Sequence, residues 1–265
     1  MLQALLWDVD GTLAETERDG HRVAFNRAFE SMALPWRWSE TDYGMLLRIT
    51  GGRERILADM RRRAEAPALA DERQALAREL HRRKNRLYAE LVREGAVALR
   101  PGVPELIDEA LAAGLLLGIT TTTSRSNVEA LLERHLGRRW ASRFAVVLCG
   151  EDVAAKKPDP EVYLRALAAL RIGPLQALAI EDSPGGVAAA CAAEVPVLVT
   201  RSACFADDTV EGAIAIGPGL HERRGWTPPL GDADAGTDDD AGTGRVTLAD
   251  LRHWHTRMES VSQFG

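Results

Sequence analysis

Asp8 and Asp10 stand two residues apart at the end of a short apolar run, in Asp8-Val9-Asp10-Gly11-Thr12. Carboxylates so placed can serve as a nucleophile, as a general acid and base, or as hard oxygen ligands. Three more polar clusters follow along the chain: Thr120-Thr121-Thr122-Thr123-Ser124, Lys156-Lys157-Pro158 and Glu181-Asp182-Ser183. Asp8, Asp10 and Asp182, with Glu181 beside them, would repel one another at pH 7 unless a cation sat among them. Hard oxygen ligands favour Mg²⁺, which keeps several waters and borrows a substrate phosphate oxygen. Phosphoryl transfer also needs an in-line nucleophile, neutralisation of the equatorial oxygens and donors to hold them. Lys157 and Thr121 meet the last two needs.

These clusters act together only if the fold gathers them. The apolar runs at 3–7, 115–119, 145–149, 178–180 and 195–199 are short and mostly continuous, as expected of parallel strands covered on both faces. Amphipathic helical patterns lie between the later runs, at 104–113 with Gly114 ending it, at 127–136, and at 161–170 with Asp159 as its expected N-cap. Repeated strand–helix alternation predicts an α/β fold, a doubly wound parallel sheet. In such a sheet, residues just past the carboxyl ends of the strands converge on one crevice.

Residues 16–91 break that rhythm, reading as helices throughout, with Arg-rich amphipathic segments at 53–64 and 71–94. The expected division is an α/β core of residues 1–15 and 92–265 with an inserted α-helical cap at 16–91. The cap segment holds 16 Lys and Arg against 12 Asp and Glu, and the rest of the chain 17 against 27. Residues 231–244 (GDADAGTDDDAGTG) carry five Asp and no large apolar group, and are expected to be a mobile acidic loop; a structured pattern resumes at 245–257.

The 265 residues, 46% of them hydrophobic, suffice for a real core. A net charge of −6 disfavours nucleic-acid binding. No stretch approaches the roughly 20 apolar residues of a membrane span, and the N-terminus lacks a signal-peptide layout. A cytoplasmic, monomeric protein is expected, with Cys149, Cys191 and Cys204 as free, buried small residues.

The motifs DVDGT, the Thr/Ser cluster, Lys-Pro and Glu-Asp, in this order and each after a strand, resemble those of haloacid-dehalogenase-superfamily phosphatases over nearly the whole chain. The resemblance implies a Rossmann-like core and Mg²⁺. It implies that Asp8 attacks phosphorus and binds the metal, and that Asp10 binds metal through its carbonyl. Asp10 would also protonate the leaving alcohol and then activate the water that hydrolyses the aspartyl-phosphate. Thr121 would grip the phosphoryl group, Lys157 would steady Asp8, and Asp182 with Glu181 would complete the metal shell.

The inserted segment is similar to the cap of the branch containing phosphoglycolate phosphatase and β-phosphoglucomutase. LAETE (13–17), ITGGRER (49–55), HRRKN (81–85) and TTTSRSN (121–127) resemble the CbbY group, associated with the Calvin cycle and with hydrolysis of xylulose-1,5-bisphosphate. Trp7 stands where that group usually has Phe. This implies a phosphorylated sugar substrate faced by Glu17, Thr50, Gly51, Gly52, Arg53, Glu54, His81 and Lys84, with Thr122, Thr123 and Ser124 opposite. A bisphosphate needs a second anion site, and a glycine pair followed by Arg53 at a helix start can supply N–H groups, dipole and guanidinium.

Other readings stand beside these. Asp8 and Asp10 are not an EF-hand fragment, since no Glu follows at the twelfth position and a strand precedes them. Gly51-Gly52 serves equally as a plain turn, and Arg61 to Arg63 and His81 to Lys84 as solvated helix faces. Lys156-Lys157 alone reads as a solvated pair, with Pro158 favouring Lys157. His253 and His255 read as structural, and Trp36 and Trp38 as cap packing. Two rival functions remain open: a sugar phosphomutase of the same fold, and a non-catalytic sugar-phosphate binder, against which the intact nucleophile argues.

Overall fold

A run such as Ala4-Leu5-Leu6-Trp7 has no polar side to turn toward water, so both of its faces must be covered. In the computed structural model, which describes residues 1–229 and 244–262, this run is β1 (Ala4–Trp7), wholly buried. It lies between β2 (Leu116–Thr120) and β4 (Ala177–Glu181). With β3 (Val146–Leu148), β5 (Val197–Thr200) and β6 (Ala215–Gly217) they form a parallel sheet of order β3-β2-β1-β4-β5-β6. The doubly wound expectation holds, and Ala215–Gly217 is an additional strand, too short for its periodicity to be read.

The pleat sends alternate β1 side chains to opposite layers. Leu5 and Trp7 join a cluster with Leu106 and Ile107 of α5 (Val103–Ala112), Leu131 of α6 (Arg125–Leu136) and Trp254 of α9 (Leu248–Ser262). Ala4 and Leu6 join a second with Tyr163 and Ala166 of α7 (Glu161–Leu170) and Val187 of α8 (Pro184–Ala192). Trp7 pairs in register with both Ile119 and Ile180. Asp8, Thr120 and Glu181, each one residue further on, therefore leave the sheet at one level.

Between β1 and α5 every regular element is helical: a π-helical turn (Glu17–His21), α1 (Arg22–Ser31), α2 (Glu40–Leu46), α3 (Gly52–Met60) and α4 (Ala70–Arg93). Phe25, Phe29, Trp36, Trp38 and Tyr43 form a third, aromatic cluster there, as expected of Trp36 and Trp38. Ser39 starts α2 with a capping box, its Oγ accepting from the Asp42 N–H while Asp42 accepts from the Ser39 N–H, each at 3.1 Å. α4 packs against α1, α3 and α6. Its Ala77 and Leu80 belong to the aromatic cluster and its Leu91 and Val92 to the first core cluster, so one helix serves both bodies of apolar packing.

Three local expectations are corrected. Pro160, not Asp159, occupies the N-cap of α7, although the Asp159 carboxylate still accepts from the Glu161 N–H at 2.9 Å. Cys191 is exposed, because it sits on the outer face of α8; Cys149 is buried and Cys204 half-buried, and all three are free. Lys84 is buried rather than part of a solvated face. The expected acidic loop at 231–244 lies, apart from Gly244, outside the described residues. Among the described residues no helix is long and apolar enough to cross a membrane.

Candidate active site

The shared register of β1, β2 and β4 delivers Asp8, Thr120 and Glu181 to one edge, and the loop between β3 and α7 returns Lys157 to it. The Lys157 Nζ donates to Asp8 Oδ1 at 2.7 Å, to the Thr120 carbonyl at 2.7 Å and to Glu181 Oε1 at 2.5 Å. All three ammonium donors are thereby used. Tyr163, one turn into α7, donates its hydroxyl to the same Glu181 oxygen and sets its ring 5.3 Å from Nζ. Burial works against this ammonium, but Asp8 and Glu181 hold its pKa well above the usual lysine value. At Asp8 the balance reverses. Burial pushes its carboxyl up to about 8, Lys157 opposing and Glu181 adding to the rise.

Oxygens of Asp8, Glu181 and Asp182 lie within 4.8 Å of one another, all three residues buried. One ammonium facing three carboxylates leaves two negative charges uncompensated. The consequence appears at Asp182, which burial and the neighbouring Asp8 push well above the carboxylate range. Asp182 Oδ2 and Glu181 Oε2 are buried without a hydrogen-bond donor. Each is pressed against a glycine: a Cβ on Gly11 would lie 2.0 Å from Asp182 Oδ2, and one on Gly186 1.9 Å from Glu181 Oε2. An all-oxygen donor set with orphaned buried oxygens and two excess charges fits a divalent hard cation.

The Asp10 carboxylate takes no part in that cluster. It turns toward the helices between β1 and α5, where Oδ1 accepts from Thr16 Oγ1 at 2.6 Å and from His21 Nε2 at 2.9 Å. Lys84 Nζ lies 2.9 Å from His21 Nδ1. An ammonium can only donate, so Nδ1 is the acceptor and Nε2 carries the hydrogen given to Asp10. Burial works to raise Asp10, but His21, Thr16 and Lys84 together hold it below the ordinary range, in the form of a base. Burial in turn brings Lys84 down to about 8 despite Asp10 and Glu17.

A cavity of about 630 Å³ opens over this centre. Every site residue expected from the sequence lines it except Glu181, which sits behind Lys157. Glu17 is buried and held by the Tyr43 hydroxyl at 2.5 Å, with Arg55 3.6 Å away. Thr121 Oγ1 accepts from the Thr123 N–H at 3.3 Å. Thr122, Thr123 and Ser124 line the core side, Ser124 Oγ accepting from Asn85 of α4 at 3.1 Å. Thr50, Gly51, Gly52 and Arg53 form the far wall at the start of α3. Glu54 reaches across to Lys156 at 3.2 Å, so Lys156 is a rim contact rather than a solvated lysine. Burial, with Lys84 and Lys156 nearby, brings His81 down to about 4.

Sequence reasoning missed Thr16, His21, Tyr163, Arg55, Asn85 and the cavity-lining Asn127, whose Nδ2 donates to Asn85 Oδ1 at 3.2 Å. Thr16 and His21 offered one signal, their closeness along the chain to Asp10. Arg55, Asn85 and Asn127 end the motifs ITGGRER, HRRKN and TTTSRSN without having been assigned a role, and Tyr163 offered no signal.

Residues 2–194 match the haloacid dehalogenase-like hydrolase family. The chain belongs to that family and is a phosphatase of the haloacid dehalogenase type. Its similarity narrows further. It is 47% identical over 201 residues to Protein CbbY of Rhodobacter capsulatus, covering 76% of this chain and 86% of that one. It is 41% identical over 256 residues to the plasmid Protein CbbY of Cupriavidus necator, covering 96% and 97%. A crystal structure of a CbbY variant from Rhodobacter sphaeroides in complex with xylulose-(1,5)bisphosphate is similar at a TM-score of 0.75 and 40% identity, covering 80% of this chain and 92% of that one. Within the family, the chain falls in the CbbY group.

Proposed function

We propose that the protein is a cytoplasmic, Mg²⁺-dependent sugar-phosphate phosphatase that works through an aspartyl-phosphate on Asp8. Its proposed reaction converts xylulose-1,5-bisphosphate to xylulose-5-phosphate and phosphate. The observation that carries this reading is Asp8 itself: a buried carboxylate at the cavity floor, gripped on one oxygen by Lys157 and standing among carboxylates that need a cation.

The other Asp8 oxygen attacks phosphorus as the bond to the sugar oxygen breaks; Asp10, held as a base before substrate arrives, takes up a proton from solvent on binding and passes it to that oxygen. Asp10 then removes a proton from water, which attacks the acyl phosphate, releases phosphate and restores Asp8. Thr16 and His21 hold the Asp10 carboxylate in the base form this second step uses. Lys157 and Thr121 hold the phosphoryl group and offset its charge. Asp8, Asp182 and the Asp10 carbonyl would hold Mg²⁺, with Glu181 behind them; bound there, the ion neutralises phosphoryl oxygens.

For the far end of a bisphosphate, Arg53, Lys156 and the N–H groups starting α3 supply positive charge and donors. The xylulose bisphosphate complex of the 40%-identical relative supports this choice of substrate. Residues 16–91 would act as a cap over the core of 1–15 and 92–265, closing on substrate and excluding water. Ion pairs across that division include Glu54 with Lys156 and Arg48 with Asp208 at 3.6 Å.

The test is phosphate release from a panel of sugar mono- and bisphosphates, with and without Mg²⁺, tracking the sugar products. Selective Mg²⁺-dependent hydrolysis of xylulose-1,5-bisphosphate supports the full reading. Preference for another phosphate removes the substrate assignment and keeps the chemistry. Isomerised sugar phosphate with no net phosphate release would make the protein a mutase.

A further inference from the structure

Arg100, just before α5, is only 8% exposed, and a buried guanidinium requires its charge and its donors to be satisfied. Arg100 does this with backbone carbonyls rather than with a buried carboxylate. Nη1 donates to the Gly11 carbonyl and to the Thr200 carbonyl at 3.1 Å, and Nη2 to the carbonyls of Arg201 at 2.7 Å and Pro218 at 3.1 Å. Glu15, 43% exposed in its side chain, lies 3.7 Å from Nε. The Arg100 backbone N–H also bonds to the Leu13 carbonyl at 2.8 Å. One side chain thus ties together the loops that leave the carboxyl ends of β1, β5 and β6.

The loop after β1 is the one that matters for chemistry. Gly11 has φ +80, a conformation that glycine adopts without strain and from which it also escapes most easily. Its N–H is fixed by the Ala14 carbonyl at 2.8 Å, and its own carbonyl by Arg100. The Asp10–Gly11 peptide is planar and trans, so fixing the Gly11 N–H directs the Asp10 carbonyl the opposite way. Gly11 also abuts Asp182 Oδ2, so a swivel at Gly11 would displace Asp10 and Asp182 together.

We propose that Arg100 is a positioning residue for the phosphatase reaction, locking the Gly11–Thr12 peptide and with it the loop after β1, so that Asp10 meets both the cation and the leaving oxygen. This rests on the functional reading above. The forked guanidinium is specifically required, because a lysine ammonium offers three donors from one point and cannot reach the same set of carbonyls.

The experiment compares wild-type and Arg100→Lys protein by two readouts. The first is the half-saturating Mg²⁺ concentration, the dissociation constant fitted from the logarithmic rise of melting temperature with Mg²⁺, which needs no substrate; the second is kcat against KM on the best substrate. The expected result is a folded Arg100→Lys protein whose half-saturating Mg²⁺ rises and whose kcat falls, each by about 10–100-fold, with substrate KM changed by less than about threefold. Half-saturation and kcat both within about twofold of wild type would overturn the proposal, even if the melting temperature fell. A variant that does not fold would make Arg100 structural and overturn it as well. Wild-type protein whose melting ignores Mg²⁺ would refute the metal reading and this inference together. Wild-type protein that responds to Mg²⁺ but cleaves no sugar phosphate would refute the functional reading alone, leaving the half-saturation ratio to decide on Arg100.

Discussion

Replacing Lys157 with methionine removes the one cation among Asp8, Glu181 and the Thr120 carbonyl while nearly keeping the side chain's volume. In the intact site the buried ammonium gives all three of its hydrogens, at 2.5 to 2.7 Å. Removing one partner of a buried ion pair destabilises a protein by about 3–5 kcal/mol, because the remaining charge has no counterpart. At about 2–4 °C per kcal/mol for a chain near this size, melting should fall by roughly 6–20 °C. The loss should also depend on pH. The carboxylates left behind relieve their repulsion by holding protons that the unfolded chain gives up above pH 4, so the variant's folded state binds more protons. Its stability therefore falls faster than that of the wild type as pH rises from about 5.5 to 8, by up to about 1.4 kcal/mol per pH unit for each extra proton. The ammonium's own titration does not intrude, since Lys157 loses its charge only well above the usual lysine value. Urea unfolding of both proteins at pH 5.5 and 8, with phosphate release measured alongside, reads all of this; turnover should drop roughly 10²–10³-fold. A variant within about 1 kcal/mol of wild type at both pH values, with undiminished turnover, would refute the argument that this ammonium offsets the buried carboxylates.

The other expected outcomes concern the same carboxylates. Asp8→Asn should abolish phosphate release while leaving circular dichroism and melting nearly unchanged; a folded variant with appreciable turnover would remove Asp8 as nucleophile. Asp10→Asn should slow turnover by about 10²–10⁴-fold, and a wild-type rate would withdraw its acid–base role. Chelation of metal should stop turnover and expose a pH dependence. With Asp8 pushed up to about 8 and Asp182 raised as well, the metal-free fold keeps protons that the unfolded chain has lost, so its stability should decline from about pH 5 to 8. Adding Mg²⁺ should release those protons, which calorimetry in buffers of different ionisation enthalpy counts; no proton release and a flat stability profile would contradict the charge balance drawn here.

Much of this was legible in the sequence because strand ends are local signals. An apolar run that stops at Trp7 and gives way to Asp8 announces both a buried strand and the edge from which its polar successor emerges. The same holds for Ile119 before Thr120 and for Ile180 before Glu181. One rule of sheet geometry sufficed to predict that these edges meet, and the parallel register of Trp7 with Ile119 and Ile180 is that meeting. The run of helices between β1 and α5 was likewise readable from a periodicity unbroken by any strand. The sixth strand was not, since three residues carry no period.

The sequence alone therefore determined the types of the candidate site groups, their order and the sheet edge they share, because those properties reside within a few residues of one another. Only the tertiary structure decided which way each group faces. It turned the Asp10 carboxylate away from the carboxylates of Asp8, Glu181 and Asp182 toward Thr16 and His21, set Lys84 behind His21, put Tyr163 on Glu181, and ran Arg100 into three loops at once. Those partners lie as far as 118 residues apart, as Pro218 does from Arg100. A hydrogen bond is won by orientation and by exclusion of water, neither of which leaves any periodic trace in the chain.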